Sequence, residues 1–140
     1  MFINKISPSK LKTYNECKKK YQFKYVDYLK GIYNDNSNTD ALQYGSYVHK
    51  IFELGTELET IEELQALAGE LRDNYTFSSI KEKNLQLILE NFFEFNKKLE
   101  ETISNEMVFE LEITDDFKIN GIIDRVVKGT AGNYLVIDYK

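Results

Sequence analysis

Cysteine is nearly absent from these 140 residues: Cys17 stands alone, so no disulfide can form within the chain. A reducing cytoplasm is the natural compartment for such a chain. No apolar run approaches the roughly 20 residues that a membrane span requires, and Met1-Phe-Ile-Asn-Lys5 lacks the basic, apolar and small-residue succession of a secretory signal. No membrane partner is expected. Excess basic charge is lacking as well. The net charge is −5, which speaks mildly against a nucleic-acid partner, because phosphate binding is driven by Lys and Arg releasing counterions. What is present is ordinary for a globular chain, 42% hydrophobic and 29% charged. A chain of this length fits one domain and buries on the order of two-thirds of its unfolded surface.

The average charge conceals an asymmetry. Residues 1–30 hold eight lysines against Glu16 and Asp27, a balance of +6, which leaves −11 on the remainder. Lys18, Lys19 and Lys20 are interleaved with Tyr14, Tyr21, Phe23, Tyr25 and Tyr28. Such a segment suits a phosphate backbone and offers rings for stacking. It equally describes a solvated lysine face over an aromatic core.

Ser7-Pro8-Ser9 reads as a helix start, the hydroxyl capping free N–H groups and the proline tolerated in the first turn. A second helical stretch is expected from Glu16 to Tyr28, then a polar loop over 31–40. A helix from about Leu42 to Thr56 carries Val48, Ile51, Phe52 and Gly55 along one side, with Asp40 as its cap. Two capping boxes, Thr60-Ile-Glu-Glu63 and Ser79-Ile-Lys-Glu82, announce further helices. The second is expected to be long, because Leu85, Ile88, Leu89, Phe92, Phe95, Leu99 and Ile103 recur at steps of three and four. After Asn105 the period changes to two. Met107, Phe109, Leu111 and Ile113 alternate with Glu106, Val108, Glu110 and Glu112, which predicts a half-buried strand. Strands over about Lys118–Lys128 and Tyr134–Lys140 follow, so the chain is α/β, helices first and an antiparallel three-stranded meander last.

The chemistry gathers on the last two strands. In Val136-Ile137-Asp138-Tyr139-Lys140, alternation puts Asp138 and Lys140 on one face, about 6 to 7 Å apart. On the preceding strand Asp124 lies among apolar residues in Gly121-Ile-Ile-Asp124-Arg125, where an unpaired carboxylate is costly to bury. If the strands are adjacent, Asp124 and Asp138 converge on one hard cation such as Mg²⁺. A metal that acidifies water, with a lysine beside it, is what phosphodiester hydrolysis needs. By spacing alone, an Asp-x-Lys pair is also what a surface ion pair looks like.

Gly121-x-x-Asp124-Arg125, followed fourteen positions after the aspartate by Asp138-Tyr139-Lys140, resembles the core of the PD-(D/E)XK nuclease superfamily in its RecB-like branch. Gly45-Ser-Tyr-Val-His49 resembles that branch's Gly-x-x-x-His helix, and Ser9-x-Leu11-x-x-Tyr14-x-x-Cys17-x-x-x-Tyr21 its opening segment. The resemblance implies a restriction-endonuclease-like core and a DNA nuclease, an exonuclease of recombination and repair or of CRISPR or phage DNA processing. It implies Mg²⁺ or Mn²⁺ on His49, Asp124, Asp138 and the Tyr139 carbonyl, with Lys140 positioning the attacking water. Lys18, Lys19, Lys20 and Arg125 are the DNA-binding candidates. Glu53, Glu110 and Glu112 are weaker acidic candidates, more simply read as surface carboxylates. The Gly45 position is expected to let the helix approach a strand. Some relatives, CRISPR-associated and AddB-type nucleases among them, hold an iron–sulfur cluster whose first ligand falls where Cys17 stands. A single thiolate holds no cluster, so Cys17 is expected as a small buried side chain here and as a ligand only in a longer chain.

The resemblance divides the chain into a basic aromatic helical segment (1–30), a helical insert (60–104) and catalytic strands (105–140), all within one incomplete domain (1–140). It implies a further helix and strand after Lys140, which are missing. A fragment, a truncated reading frame or a piece completed by another chain fits this equally. DNA, as single strands or ends, and a helicase subunit or domain are the expected partners. Two rival readings stand beside the nuclease: a non-catalytic DNA-binding or scaffolding domain of a helicase–nuclease complex, and a helical module in which residues 60–104 bind a partner protein.

Overall fold

The computed structural model describes residues 4–29 and 39–140. The helix predicted at Ser7-Pro8 is α1, Pro8–Glu16, and the Ser7 hydroxyl accepts from the Lys10 N–H as its cap. The second helical stretch is short: α2, Lys18–Tyr21, runs into a π-helical turn, Gln22–Val26. Most of the expected loop at 31–40, with the predicted helix end at Lys30-Gly31, lies outside the described residues. Helix α3, Asp40–Leu54, is capped by the Thr39 hydroxyl rather than by Asp40. The Asp40 carboxylate instead faces Ser78, whose side-chain hydroxyl first and backbone N–H, at 3.2 Å, second hold its pKa below the usual value.

Helix α4, Ile61–Leu71, carries the predicted capping box in full, with Thr60 and Glu63 satisfying each other's backbone donors. The second expected box does not form. Ser79–Asn84 is a 3₁₀ turn, and Glu82 pairs with Arg72 at 2.5 Å, whose guanidinium also donates to the Tyr75 and Phe77 carbonyls and lies over the Phe77 ring. A tertiary ion pair has taken the carboxylate that the local motif needed. Helix α5, Leu85–Asn96, stops well short of the predicted Ile103, because the Asn96 side chain donates to the Thr56 carbonyl and the next N–H groups turn back on the last carbonyls.

The strands begin earlier than the alternation suggested. Strand β2 runs Thr102–Thr114 and β3 runs Phe117–Lys128, joined by a two-residue turn. Strand β4, Tyr134–Ile137, is shorter than expected: it ends before Asp138 because the Tyr139 N–H goes to the Asp124 carboxylate, not to a ladder carbonyl. A three-residue strand, β1 (Asn4–Ile6), was not foreseen and pairs in parallel with β3 through Asn4↔Phe117 to Ile6↔Ile119. The mixed sheet has the order β1-β3-β2, with β4 antiparallel to β3 through Arg125↔Ile137 to Lys128↔Tyr134. Among the described residues no helix is long and apolar enough to cross a membrane.

The chain divides into two compact units, one from Met1–Asp35 with Met107–Ile123, the other from Asn36–Glu106 with Asp124–Lys140. In the first, Lys118 bridges Glu110 and Glu112, and Lys5 also pairs with Glu110. In the second, the core is Tyr47, Ile51, Phe52, Leu64, Ala68, Phe77, Leu89 and Phe92. Phe52 and Phe92 stack at 4.2 Å between centroids, and the buried Tyr47 hydroxyl donates to the Ala68 carbonyl at 2.8 Å.

The glycine of the Gly121-x-x-Asp124 block has a steric cause. A Cβ at Gly121 would stand 2.8 Å from Phe109 Cε1 and 2.9 Å from its Cζ, so the ring lies where a side chain would go. Alanine would gain about 0.5 to 1 kcal/mol in backbone preference and lose about 1 to 3 by overpacking. Gly121→Ala is therefore expected to destabilise by about 1 kcal/mol in urea unfolding, and Phe109→Leu added to it to recover part of that loss. An unchanged midpoint in the single variant would refute the steric account.

Candidate metal centre

Helix α3 carries His49 three residues before the buried Phe52, and so on the same side of the helix. Strand β3 brings Asp124 to the start of its segment in the second unit, with the side chain 15% exposed. His49 Nδ1 and Asp124 Oδ2 lie 3.7 Å apart. The same Asp124 oxygen accepts from the Tyr139 N–H at 2.8 Å, which fixes the carboxylate's orientation.

A third group joins them from β2. One ligand atom each from His49, Glu106 and Asp124 lie within 4.8 Å of one another. Glu106 has a φ of 48° inside a strand, a conformation uncommon for a residue with a side chain. Regular alternation would turn Asn105 and Glu106 to opposite faces. Here both meet α3 or the turn that follows it: the Asn105 amide donates to the Glu53 carbonyl and the Thr56 hydroxyl, each at 3.0 Å, while Glu106 reaches His49. The backbone irregularity at Glu106 is what adds the carboxylate to the group.

The electrostatics suit a cation. Burial pushes the Glu106 carboxyl above its ordinary value, and the neighbouring Asp124 and Glu53 carboxylates push it further, against His49 and Lys50, which act to lower it. Two carboxylates and an imidazole crowded within reach of one another are what a hard divalent ion would relieve. His49 and Glu106 open on a cleft of about 460 Å³, bordered also by Lys50, which pairs with Glu53 at 2.7 Å.

Of the residues singled out in the sequence, His49 and Asp124 are brought together. Asp138 is not a member of the group: it is exposed and pairs with Lys140 at 3.1 Å, the Lys140 side chain being 85% exposed. Tyr139 contributes its N–H to Asp124, and its ring packs edge-on to Phe52 and His49. Glu110 and Glu112 pair with Lys118. Lys18, Lys19 and Lys20 are exposed, with the Lys18 ammonium over Tyr14 and that of Lys19 over Phe23.

Three expectations need correcting. Arg125 is 2% exposed and cannot reach a DNA strand; its guanidinium donates to the Thr102 hydroxyl at 2.7 and 3.2 Å and to the Tyr139 hydroxyl at 3.4 Å. Cys17 is exposed rather than buried, because its Sγ caps α2 by accepting from the Lys20 N–H at 3.5 Å. Gly45 lets no other element approach closely, since a Cβ there would meet nothing within 4 Å beyond its chain neighbours and its own helix backbone. Glu106 is the residue that sequence reasoning missed. The alternation placed it with the outward glutamates, and the one local hint was Asn105, a residue type that favours irregular backbone.

A mixed α/β chain with a four-stranded mixed sheet, and a helix histidine grouped with two strand carboxylates, define the class, and a family model agrees: the chain matches the PD-(D/E)XK nuclease superfamily over residues 5–140 and belongs to it. Among curated proteins it is similar to an ATP-dependent helicase/deoxyribonuclease subunit from Streptococcus agalactiae, serotypes Ia and V, at 30% identity over 151 aligned residues and 97% of this chain. The corresponding protein of Streptococcus uberis is 27% identical over 96% of the chain. The chain spans about 14% of the length of these relatives.

The raised Glu106 value carries a sign. A carboxyl raised by folding contributes stability that is present below its unfolded value, near 4.5, and lost as pH rises through the folded value. Glu106→Gln mimics the protonated form. It is expected to raise the melting temperature of metal-free protein at neutral pH, the gain vanishing toward about pH 4, and to show none of the stabilisation by added Mn²⁺ that is expected of the unchanged protein. An unaltered Mn²⁺ response in calorimetry would remove Glu106 from the centre.

Proposed function

We propose that this chain is a divalent-metal-dependent deoxyribonuclease domain that hydrolyses phosphodiester bonds in single-stranded DNA or at DNA ends, as an exonuclease in recombination or repair. The observation that carries the reading is the grouping of His49, Glu106 and Asp124 within reach of one ion, in a chain of a nuclease superfamily. When bound, Mg²⁺ or Mn²⁺ supplies acidified water at neutral pH and positive charge for the phosphoryl oxygens. His49, Glu106 and Asp124 hold the ion, the Tyr139 N–H orients Asp124, and Asp138 with the Tyr139 carbonyl offers further oxygen ligands.

Lys140 stabilises the charge that develops on the phosphate. Its pair with Asp138 lies at the surface, and such pairs are worth under about 1 kcal/mol, so a phosphate displaces it readily. Lys18, Lys19 and Lys20 follow the strand's backbone, with their neighbouring rings available for stacking. The relatives' name joins a helicase to a deoxyribonuclease, which supports a helicase subunit or domain as partner, with cytoplasmic residence. The division into a basic aromatic segment (1–30), a helical insert (60–104) and catalytic strands (105–140) belongs to the same proposal.

One observation favours a second reading, a non-catalytic DNA-binding or scaffolding domain: Asp138 and Lys140 pair with each other, outside the grouped ligands. Two measurements decide. With end-labelled single-stranded DNA and Mn²⁺, Asp124→Ala and Lys140→Ala are each expected to lower the cleavage rate by at least about 100-fold. Cleavage retained by both variants would sink the nuclease assignment, and a protein that neither cleaves nor binds Mn²⁺ would be the scaffold. Replacing Lys18, Lys19 and Lys20 by Gln is expected to weaken DNA binding across all sequences and to reduce its salt dependence by about one unit for each phosphate that the lysines no longer neutralise.

A further inference from the structure

A second groove, of about 550 Å³, adjoins the candidate metal centre, and His49 and Gly45 belong to the walls of both. Its lining differs in chemistry. Tyr44, Val48, Ile88, Phe92, Phe95 and Tyr139 make it largely apolar and aromatic. Phe95 is 40% exposed, a large ring left partly bare on α5. One turn earlier on the same helix, Asn91 puts an exposed amide on the groove wall. Asp138 and Lys140 form the charged part of its rim.

We infer that this groove is a nucleobase subsite, which seats the base of the nucleotide whose phosphodiester lies at His49, Glu106 and Asp124. The inference rests on the nuclease reading above and adds to it the residues that would grip the base. Three features select this occupant. The groove shares His49 with the ion-holding group, so a ligand whose phosphate reaches that group has its next several ångströms of chain at the groove mouth. Its rings suit a flat π-system, which stacks whatever its sequence, while the Asn91 amide provides a donor and an acceptor for a base edge. The Lys140 ammonium at the rim complements the flanking phosphate rather than a peptide or lipid tail. Gly45, with open space beyond its own helix where a Cβ would stand, keeps the wall common to both cavities low.

The test measures binding, not turnover. Short single-stranded oligonucleotides carrying either 2-aminopurine or an abasic residue at the terminal position are titrated into the 140-residue protein with Ca²⁺ as the divalent ion and with EDTA in its place. The expected result is Ca²⁺-dependent binding in which the base-bearing strand is at least about fivefold tighter than the abasic one and its 2-aminopurine fluorescence is quenched by stacking. Phe95→Ala and Phe95→Leu should abolish both the preference and the quenching, whereas Phe95→Tyr should keep them. The leucine variant separates a ring that stacks from a side chain that merely fills space, and the unfolding transition of each variant reports its fold. Ca²⁺-dependent binding indifferent to the base, or a preference that survives both Phe95→Ala and Phe95→Leu, overturns the subsite alone. Absence of any Ca²⁺-dependent binding overturns the metal-centred reading together with the subsite built on it.

Discussion

Two carboxylates kept close together and half-buried make the central constraint in this molecule. Charged groups of like sign that are partly removed from water raise each other's energy, and Glu106 registers this in its raised pKa. A chain designed only for stability would place apolar residues there. Instead, three separate devices hold the group: the Tyr139 N–H on Asp124, the Asn105 amide anchored to the end of α3, and the left-handed backbone at Glu106. Backbone strain at a site of concentrated charge has a natural reading as preorganisation, in which the cost is met by the surrounding packing. The stacked Phe52–Phe92 pair, with Tyr139 edge-on to both, supplies packing directly behind the group.

Local signals located the helices where capping is local. Ser7-Pro8 and the Thr60–Glu63 box act within four residues, so the sequence displays them completely. The Ser79–Glu82 box displays the same local pattern, yet Arg72, ten residues before Glu82, competes for the carboxylate and carries a stronger charge-assisted bond. Periodicity overran for a related reason. Leu99 and Ile103 continue the apolar stripe of α5 by spacing alone, but Asn96 is tied to the Thr56 carbonyl and Ile103 already belongs to β2, half exposed. Strand β1 carries too few residues to show alternation, and its parallel partner is more than a hundred positions away.

The site was legible to the extent that it follows regular geometry. Asp124 among apolar strand residues could be read from residue type and setting, whereas His49 stood out only through the resemblance of Gly45-Ser-Tyr-Val-His49 to the family's helix, and the α/β character with a restriction-endonuclease-like core fits the family match. Glu106 could not be read, because a strand residue at φ 48° breaks the very alternation used to assign faces. Arg125 misled for the opposite reason: a guanidinium beside a candidate ligand suggests phosphate, whereas hydroxyls from Thr102 and Tyr139 hold it in the interior. Burial of a residue that long is a tertiary outcome that one-dimensional spacing does not carry.

Asp124 and Arg125 are consecutive on β3 and take hold of the same residue from two ends. The aspartate carboxylate receives the Tyr139 N–H, and the arginine guanidinium reaches the Tyr139 hydroxyl. Had the ladder continued past Arg125↔Ile137, its next step would have set Asp138 opposite Asp124, two acids side by side with no cation between them. Like charges directly opposite one another destabilise a strand pair. The chain leaves the ladder at that step: the Tyr139 ring turns inward against Phe52, Phe92 and His49, and Asp138 goes outward to Lys140. The tyrosine between the acid and the lysine therefore has a structural task distinct from theirs. It ties the end of the fourth strand to the acid of the third, and does so with a backbone N–H that both orients the Asp124 carboxylate and ends the sheet.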